Sequence, residues 1–507
     1  MEKRGILAGQ RKIGALLGYV NILAKNLVNL LYTPILLHYL GQADYGVFQM
    51  TNSVVFMLTL LSAGFYGAYV RFYTLKKQRG TADDVRRLNG MFLLVYVAAA
   101  LLCIVLGLVL VANSERLFSK GLTPDEVTLT RTLMVIMTLN VSVTLLSTPF
   151  DSYIIVHERF AFQQTRQLFT SLATPFVAVG ALVLGAGASG VAVAQLLVSL
   201  VLLGLNVRFA VSKLGMGFLF TNLQFGLFKA IAVFSFWIFL NQIFDLINNQ
   251  VPNFLLGAMS GAEAVATFSI AVQIRTVFFS MSTTMSNVFV PLINRIVATS
   301  DDNEVLTALM TRVGKYQMIL FCYIFGGFVL VGQFFILKWA GRANTDAYWL
   351  AVIMTLPVVV PLTQNTGIEI QRAKNKHKAR SVIYIFTALI DVVISVLFIP
   401  KFTYWATAIG YIASIVLGTG LFMNFYYHFS IGLNMVYFWK KMLPTMVSTT
   451  VITGACLLLT RVLPVASLVS FIVWVLVYSA IFFVVAWKFL LDEGDRKRIV
   501  SRAHKEN

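Results

Sequence analysis

Three polar residues sit where a long apolar run should have none. In NILAKNLVNLLYTP, Asn21, Lys25 and Asn29 follow one another at i, i+4 and i+8, stacked on a single helical face. A second run, LNQIFDLINNQVP, repeats the spacing about 220 residues later with Asn241, Asp245 and Asn249. An ammonium flanked by amides suits an anion rich in oxygen. A carboxylate flanked by amides suits a proton, a sodium ion or an ion pair with that same lysine. A third intrahelical charge, Arg275, lies in AVQIRTVFFSMSTTMSN with Gln273, Thr276, Ser280 and Thr283, and its forked guanidinium fits a phosphate.

The elements that must position these groups follow from composition. Of 507 residues, 58% are hydrophobic and 12% charged, and the mean hydropathy is +0.80. Soluble domains carry about 25% charge, so the chain is expected to be an all-α polytopic membrane protein and not a soluble enzyme. Walking along it with a ruler of about 20 apolar residues gives about fourteen spans. Connections between them are short, which leaves the function to the lipid-embedded part. Lys25 is about a dozen residues, roughly 18 Å, from either end of its run, too deep for its side chain to reach an interface. It must face protein or water, and such residues ordinarily mark a functional cavity.

The formal charge of +19 sets orientation and does not indicate a nucleic-acid partner. Placing both termini in the cytoplasm puts about four-fifths of the 40 Lys and Arg residues on that side. The densest basic run, Arg372 to Arg380 in QRAKNKHKARS, then faces the cytoplasm and reads as a topology signal. HERFAFQQTRQ, with Arg159 and Arg166, reads the same way in the first half. Cys103, Cys322 and Cys456 fall in apolar runs, so neither a disulfide framework nor a metal cluster is expected. No cleavable leader and no catalytic signature stands out, and no cofactor is expected beyond a coupling H+ or Na+.

Matching features recur between the halves. PILLHYLGQADYGVF and PNFLLGAMSGAEAVATF each pair a proline with a glycine-containing turn and an acid, Asp44 or Glu263. The expected organisation is therefore two six-helix lobes, 1–212 and 229–430, joined by a cytoplasmic linker at 213–228 and followed by two helices and a basic tail at 431–507. Pro357 and Pro361 remove backbone donors in the tenth span, so a kink or hinge is expected there. Asp391, another deep charge, reads as a polar contact between helices.

YTPILLHYLGQADYGVF at the first hairpin and GIEIQRAKNKHKARS after the tenth span resemble the polysaccharide transporter family. That is the branch holding O-antigen flippases within the multidrug/oligosaccharidyl-lipid/polysaccharide exporter superfamily. The resemblance implies two lobes plus two helices in a bacterial inner membrane. It implies alternating access that carries undecaprenyl-pyrophosphate-linked oligosaccharide from the cytoplasmic to the periplasmic leaflet, with membrane lipids, a glycan polymerase and glycosyltransferases as partners. Lipid II flippases of the superfamily carry arginines on the first and eighth helices, and Lys25 and Arg275 sit in similar places. The arginine-rich opening motif of those flippases is absent, which argues against a peptidoglycan precursor as substrate. The family often has Asn where this chain has Asp391, and a glycine-rich turn where it has KFTYWAT. Two rival readings stay open: a cation-coupled multidrug exporter of the same fold, which would want an acidic cavity, and a membrane glycan polymerase or ligase, which would want a large catalytic loop.

Overall fold

The computed structural model describes residues 2–62, 64–221, 225–287, 289–374, 376, 378–494 and 496. Helices account for nearly all of them, as hydrocarbon requires: a backbone without water must bond within its own segment. Twelve helices among the described residues are long and apolar enough to cross a membrane. One of them, Ala24–Arg79, has 56 residues, far more than a roughly 30 Å hydrocarbon core can hold as a single span. The chain breaks within it at Gly41, whose φ of 74° and ψ of 178° leave helical space, a conformation that glycine adopts without Cβ strain. The count of about fourteen treats this segment as two spans and includes the helix at Phe225–Asn249.

Two compact units divide the chain. The first comprises Met1–Ser269 with Ser395–Tyr404, and the second Ile270–Ile394 with Trp405–Asn507. In the first lie α1 (Glu2–Phe56), α2 (Phe65–Arg79), α3 (Ala82–Ala112), α4 (Pro124–Val156), α5 (Phe160–Val183), α6 (Gly187–Arg208), α7 (Phe225–Asn249) and α8 (Val251–Met259). The boundary falls inside α9 (Ala262–Asn287). The second unit is built on α10 (Asn303–Trp339), much of α11 (Lys378–Phe402), α12 (Tyr404–Ile415), α13 (Met435–Thr460) and α14 (Leu468–Val485). Between α10 and α11 the helical path is broken. Asp346–Thr355 gives way to a 3-10 turn at Leu356–Val358, then to Val359–Thr363 and Asn365–Ala373. Pro357 and Pro361 sit at this interruption, where their missing donors weaken the helical ladder.

Short polar connections start the helices. Thr81 and Asp84 open α3 with a reciprocal capping box, as Thr123 and Glu126 open α4, with Pro124 at the first helical position. Within the first unit α1 packs chiefly on α5, and α4 on both α3 and α6. Where α3 meets α4, a Cβ on Gly107 would lie 2.5 Å from the Thr138 hydroxyl oxygen and 2.3 Å from its methyl, so this helix contact requires glycine.

The segment after α6 is pinned to the same unit. Asn89 donates to the Gly217 carbonyl at 3.0 Å, the Leu219 amide donates to Arg86 at 3.0 Å, and Tyr153 donates to Leu214 at 3.4 Å. Beside this seam His157 caps the end of α4. Its Nδ1 lies 2.8 Å from the Tyr153 carbonyl, and its Nε2 lies 3.2 Å from Tyr73 Oη. Since a carbonyl only accepts, Nδ1 carries the proton and the neutral ring accepts from Tyr73 at Nε2. Burial pushes the His157 pKa below 6.5, and the charges of Lys77 and Arg159 push it the same way, against the bond to Tyr153. Folding therefore favours the neutral ring. Its contribution is complete above the unfolded value and is lost as pH falls through about 6.5 toward the depressed folded value. Thermal unfolding of the full chain is expected to show stability falling between about pH 7.5 and 5.5, and His157→Gln is expected to flatten that fall. Identical pH profiles for the two proteins would refute the assignment.

Candidate functional site

A cavity of about 850 Å³ opens inside the first unit among α1, α4, α5 and α6. From α1 it takes Asn21, Lys25, Asn29 and Tyr32; from α4, Thr144, Ser147, Thr148 and Asp151. The α5 wall presents Gln164, Arg166, Gln167, Thr170, Ser171 and Thr174, and α6 adds Gln195, Ser199 and Asn206. Gly18, Pro175 and Leu202 are the lining residues without a hydrogen-bonding side chain. Each helix turns a polar stripe inward at i, i+3 or i+4 spacing.

The α1 stripe is anchored at its base. Asn21, which is buried, donates through Nδ2 to the Gln164 carbonyl at 2.8 Å and to its side-chain Oε1 at 2.7 Å. This fixes the register of α1 against α5. Asn21 Oδ1 and Tyr32 Oη are buried without a hydrogen-bond partner among the described residues, an arrangement that is costly unless a ligand or water meets them. Lys25, one turn beyond Asn21, is exposed to the cavity and forms no ion pair among the described residues. Its ammonium is therefore a positive charge that nothing in the wall neutralises.

A second cation shares the cavity. The Arg166 side chain is 10% exposed, and its Nη2 lies 2.5 Å from Asp151 Oδ1. Its Nη1 donates to Asn206 Oδ1, and Asn206 in turn donates to Ser147 Oγ at 2.7 Å. Sequence reasoning places Arg166 in the cytoplasmic basic run and passes over Asp151. The available signals are the spacing of Gln164, Gln167, Ser171 and Thr174, which makes one polar face of α5, and a carboxylate inside an otherwise apolar helix at Asp151.

The remaining residues singled out from sequence lie elsewhere. Arg275, 2% exposed, is in the second unit and does not line this cavity; its guanidinium lies 4.0 Å from the Tyr411 ring centroid. Asp391, also 2% exposed, is close enough to Tyr411 to interact with it electrostatically. Gln273 is half-buried and Asn249 exposed; neither lines the cavity. Asn241 and Asp245 fall outside the residues whose side chains are described. In the basic run, Arg372 pairs with Glu369 at 2.7 Å, Lys374 with Asp301 at 2.7 Å, and Lys376 donates to the Ser430 carbonyl at 2.7 Å. The last two contacts tie connections of the second unit together.

An all-helical, multi-pass membrane protein with a polar cavity among its first helices is thus defined. The family described as "Polysaccharide biosynthesis protein" matches residues 14–297, more than half of the chain, and the protein belongs to that family. Its fold is shared with a lipid II flippase, MurJ, in an inward closed conformation: TM-score 0.70 at 12% identity, over 93% of this chain and 98% of that one. A multidrug resistance MATE family transporter of the MOP superfamily, inward-facing, is similar at TM-score 0.55 and 14% identity, over 78% of this chain and 93% of that one. The MATE multidrug transporter DinF-BH gives TM-score 0.57 at 14% identity, over 82% and 95% of the two chains. No protein of curated function matches the sequence significantly.

The different settings of the two deep cations have different consequences. Arg275→Ala removes a buried, stacked and hydrogen-bonded side chain and is expected to destabilise the protein by about 2 kcal/mol or more. Lys25→Ala removes a group that packs on little and should leave thermal stability near wild type. Unfolding of both variants in detergent checks this contrast; equal losses would contradict it.

Proposed function

We propose that this protein is a flippase for a lipid-linked oligosaccharide, moving a head group of phosphate and sugar across the membrane through the cavity of the first unit. The observation that carries the reading is the unneutralised ammonium of Lys25 in a wall otherwise made almost entirely of neutral hydrogen-bonding side chains. A phosphate-bearing head group cannot enter hydrocarbon unaided, because losing its hydration costs far too much. Lys25 supplies a counter-charge, and the amides and hydroxyls from Asn21 to Gln195 replace water around sugar hydroxyls. Membership in a polysaccharide biosynthesis family supports the same class of substrate. The lipid is taken as undecaprenyl pyrophosphate carrying an O-antigen, capsule or exopolysaccharide repeat unit, in a bacterial inner membrane with both termini cytoplasmic. A glycan polymerase and glycosyltransferases would act on either side of the step.

A drug exporter of similar fold would want a free carboxylate in the cavity to hold a cation. Asp151 is the carboxylate among the lining residues, and Arg166 occupies it, which favours the anionic substrate. Asp245 with Asn241 and Asn249 is proposed to carry the coupling proton or sodium ion, and the break at Pro357 and Pro361 to serve as the hinge.

In a strain lacking the protein, lipid-linked oligosaccharide should accumulate in the cytoplasmic leaflet. Lys25→Ala is expected to leave that accumulation uncorrected while inserting at wild-type levels, and Lys25→Arg to restore part of the export because the charge is kept. Full export by Lys25→Ala would dismiss the proposal.

A further inference from the structure

We infer that Arg166 is a second anion-binding residue of the cavity and that Asp151 is its resident counter-ion, which a phosphate of the substrate displaces. The inference rests on the reading of the cavity as a phosphate site and adds what selects the phosphate.

Three observations place Arg166 in the site. It lines the same cavity as Lys25. The Asn21–Gln164 bonds fix the register of α1 on α5, with Lys25 four residues beyond Asn21 and Arg166 two beyond Gln164; at 1.5 Å per residue the two cations are within about 9 Å along the bundle whichever way the helices run. Finally, Asn206, itself held by Ser147, grips one arm of the guanidinium. The fork is thereby aimed before any ligand arrives.

Asp151 is the exchangeable member of the pair. Its side chain is 27% exposed against 10% for Arg166, and it holds Arg166 through one carboxylate oxygen where a bidentate grip would need two. An anion with a denser array of oxygens can replace it without leaving Arg166 unpaired. Charge then determines selection. With Asp151 in place, Lys25, Arg166 and Asp151 sum to a single positive charge, which suits a monoanionic phosphodiester. With Asp151 displaced from the guanidinium, both cations touch the ligand and pair with the two phosphates of a diphosphate ester, while the carboxylate keeps its charge and is solvated by cavity water at its already part-exposed position. Asp151 therefore holds the resting site below full affinity and makes occupation of Arg166 conditional on the second phosphate.

Farnesyl diphosphate and methyl farnesyl monophosphate, a monoanionic phosphodiester, bound to the full-length protein in nanodiscs, serve as probes. Asp151→Asn keeps a side-chain oxygen for Arg166 while deleting the charge. It is expected to raise affinity for the diphosphate about tenfold and for the monophosphate less. Asp151→Glu, which retains the charge, should fall short of that gain. Arg166→Gln should abolish the preference for diphosphate, and adding Asp151→Asn to it should restore nothing. Unchanged or weakened diphosphate binding in Asp151→Asn, with Lys25→Ala still weakening both probes, overturns the counter-ion role and spares the cavity reading. A purely structural pair would give that result together with lower thermal stability. If Lys25→Ala leaves both probes bound as in wild type, the cavity reading itself falls.

Discussion

Hydrocarbon offers a charged side chain nothing to replace the water it loses, and that constraint organises the first unit. Lys25, expected from the sequence to lie too deep in its run to reach either interface, lines a polar pocket. Four helices therefore turn polar stripes toward one another, an arrangement that a sequence this apolar would otherwise avoid. Their remaining faces must pack tightly or meet lipid. The bare Cα of Gly107 against Thr138 is one result. The pair of hydrogen bonds that Asn21 donates to Gln164, which locks α1 against α5 at the level of the cavity, is another.

The two cations that stand deepest in the sequence satisfy the same constraint in opposite ways. A guanidinium is planar and weakly hydrated, so Arg275 can be stripped of water and laid on the Tyr411 ring at 4.0 Å. An ammonium is compact and strongly hydrated. Burying Lys25 that way would cost more than a stacked ring returns, so it stays where water or a ligand can solvate it. Side-chain type thus accounts for the buried, stacked setting of one cation and the exposed setting of the other. Arg166 lies between these limits, with its charge matched and its guanidinium aimed into the cavity.

What could be read from the sequence divides along the same physical line. Helix positions, the helical break at the glycine of the first hairpin and the interruption near Pro357 follow from local rules, because hydropathy, proline and glycine act on the segment that contains them. Lys25 was legible because its distance from both ends of the run meant it must face protein or water, and it lines the cavity. Arg166 was not, because it lies only a turn and a half into α5 and a long side chain at that depth can reach the interface. What keeps it inside is Asp151 on α4 and Asn206 on α6, and nothing in the sequence pairs three residues from three helices. Arg275 was marked by its depth, and the structure adds that it is buried against the Tyr411 ring of the second unit.

The three helices that supply most of the cavity wall also share a feature: Pro34 lies within α1, Pro149 within α4 and Pro175 within α5. Each proline removes a donor to the carbonyl four residues earlier, for Pro175 the carbonyl of the lining residue Ser171. Backbone that a proline leaves without its helical donor is tolerated where it meets water or polar side chains, and Ser171 lies in such a wall. Carbonyl oxygens add acceptors for hydroxyls and repel phosphate, which places the attraction for anions on the cations alone. On the proposed function, a wall in which Lys25 has no ion pair among the described residues while Arg166 is matched by a carboxylate would hold an anion without trapping it.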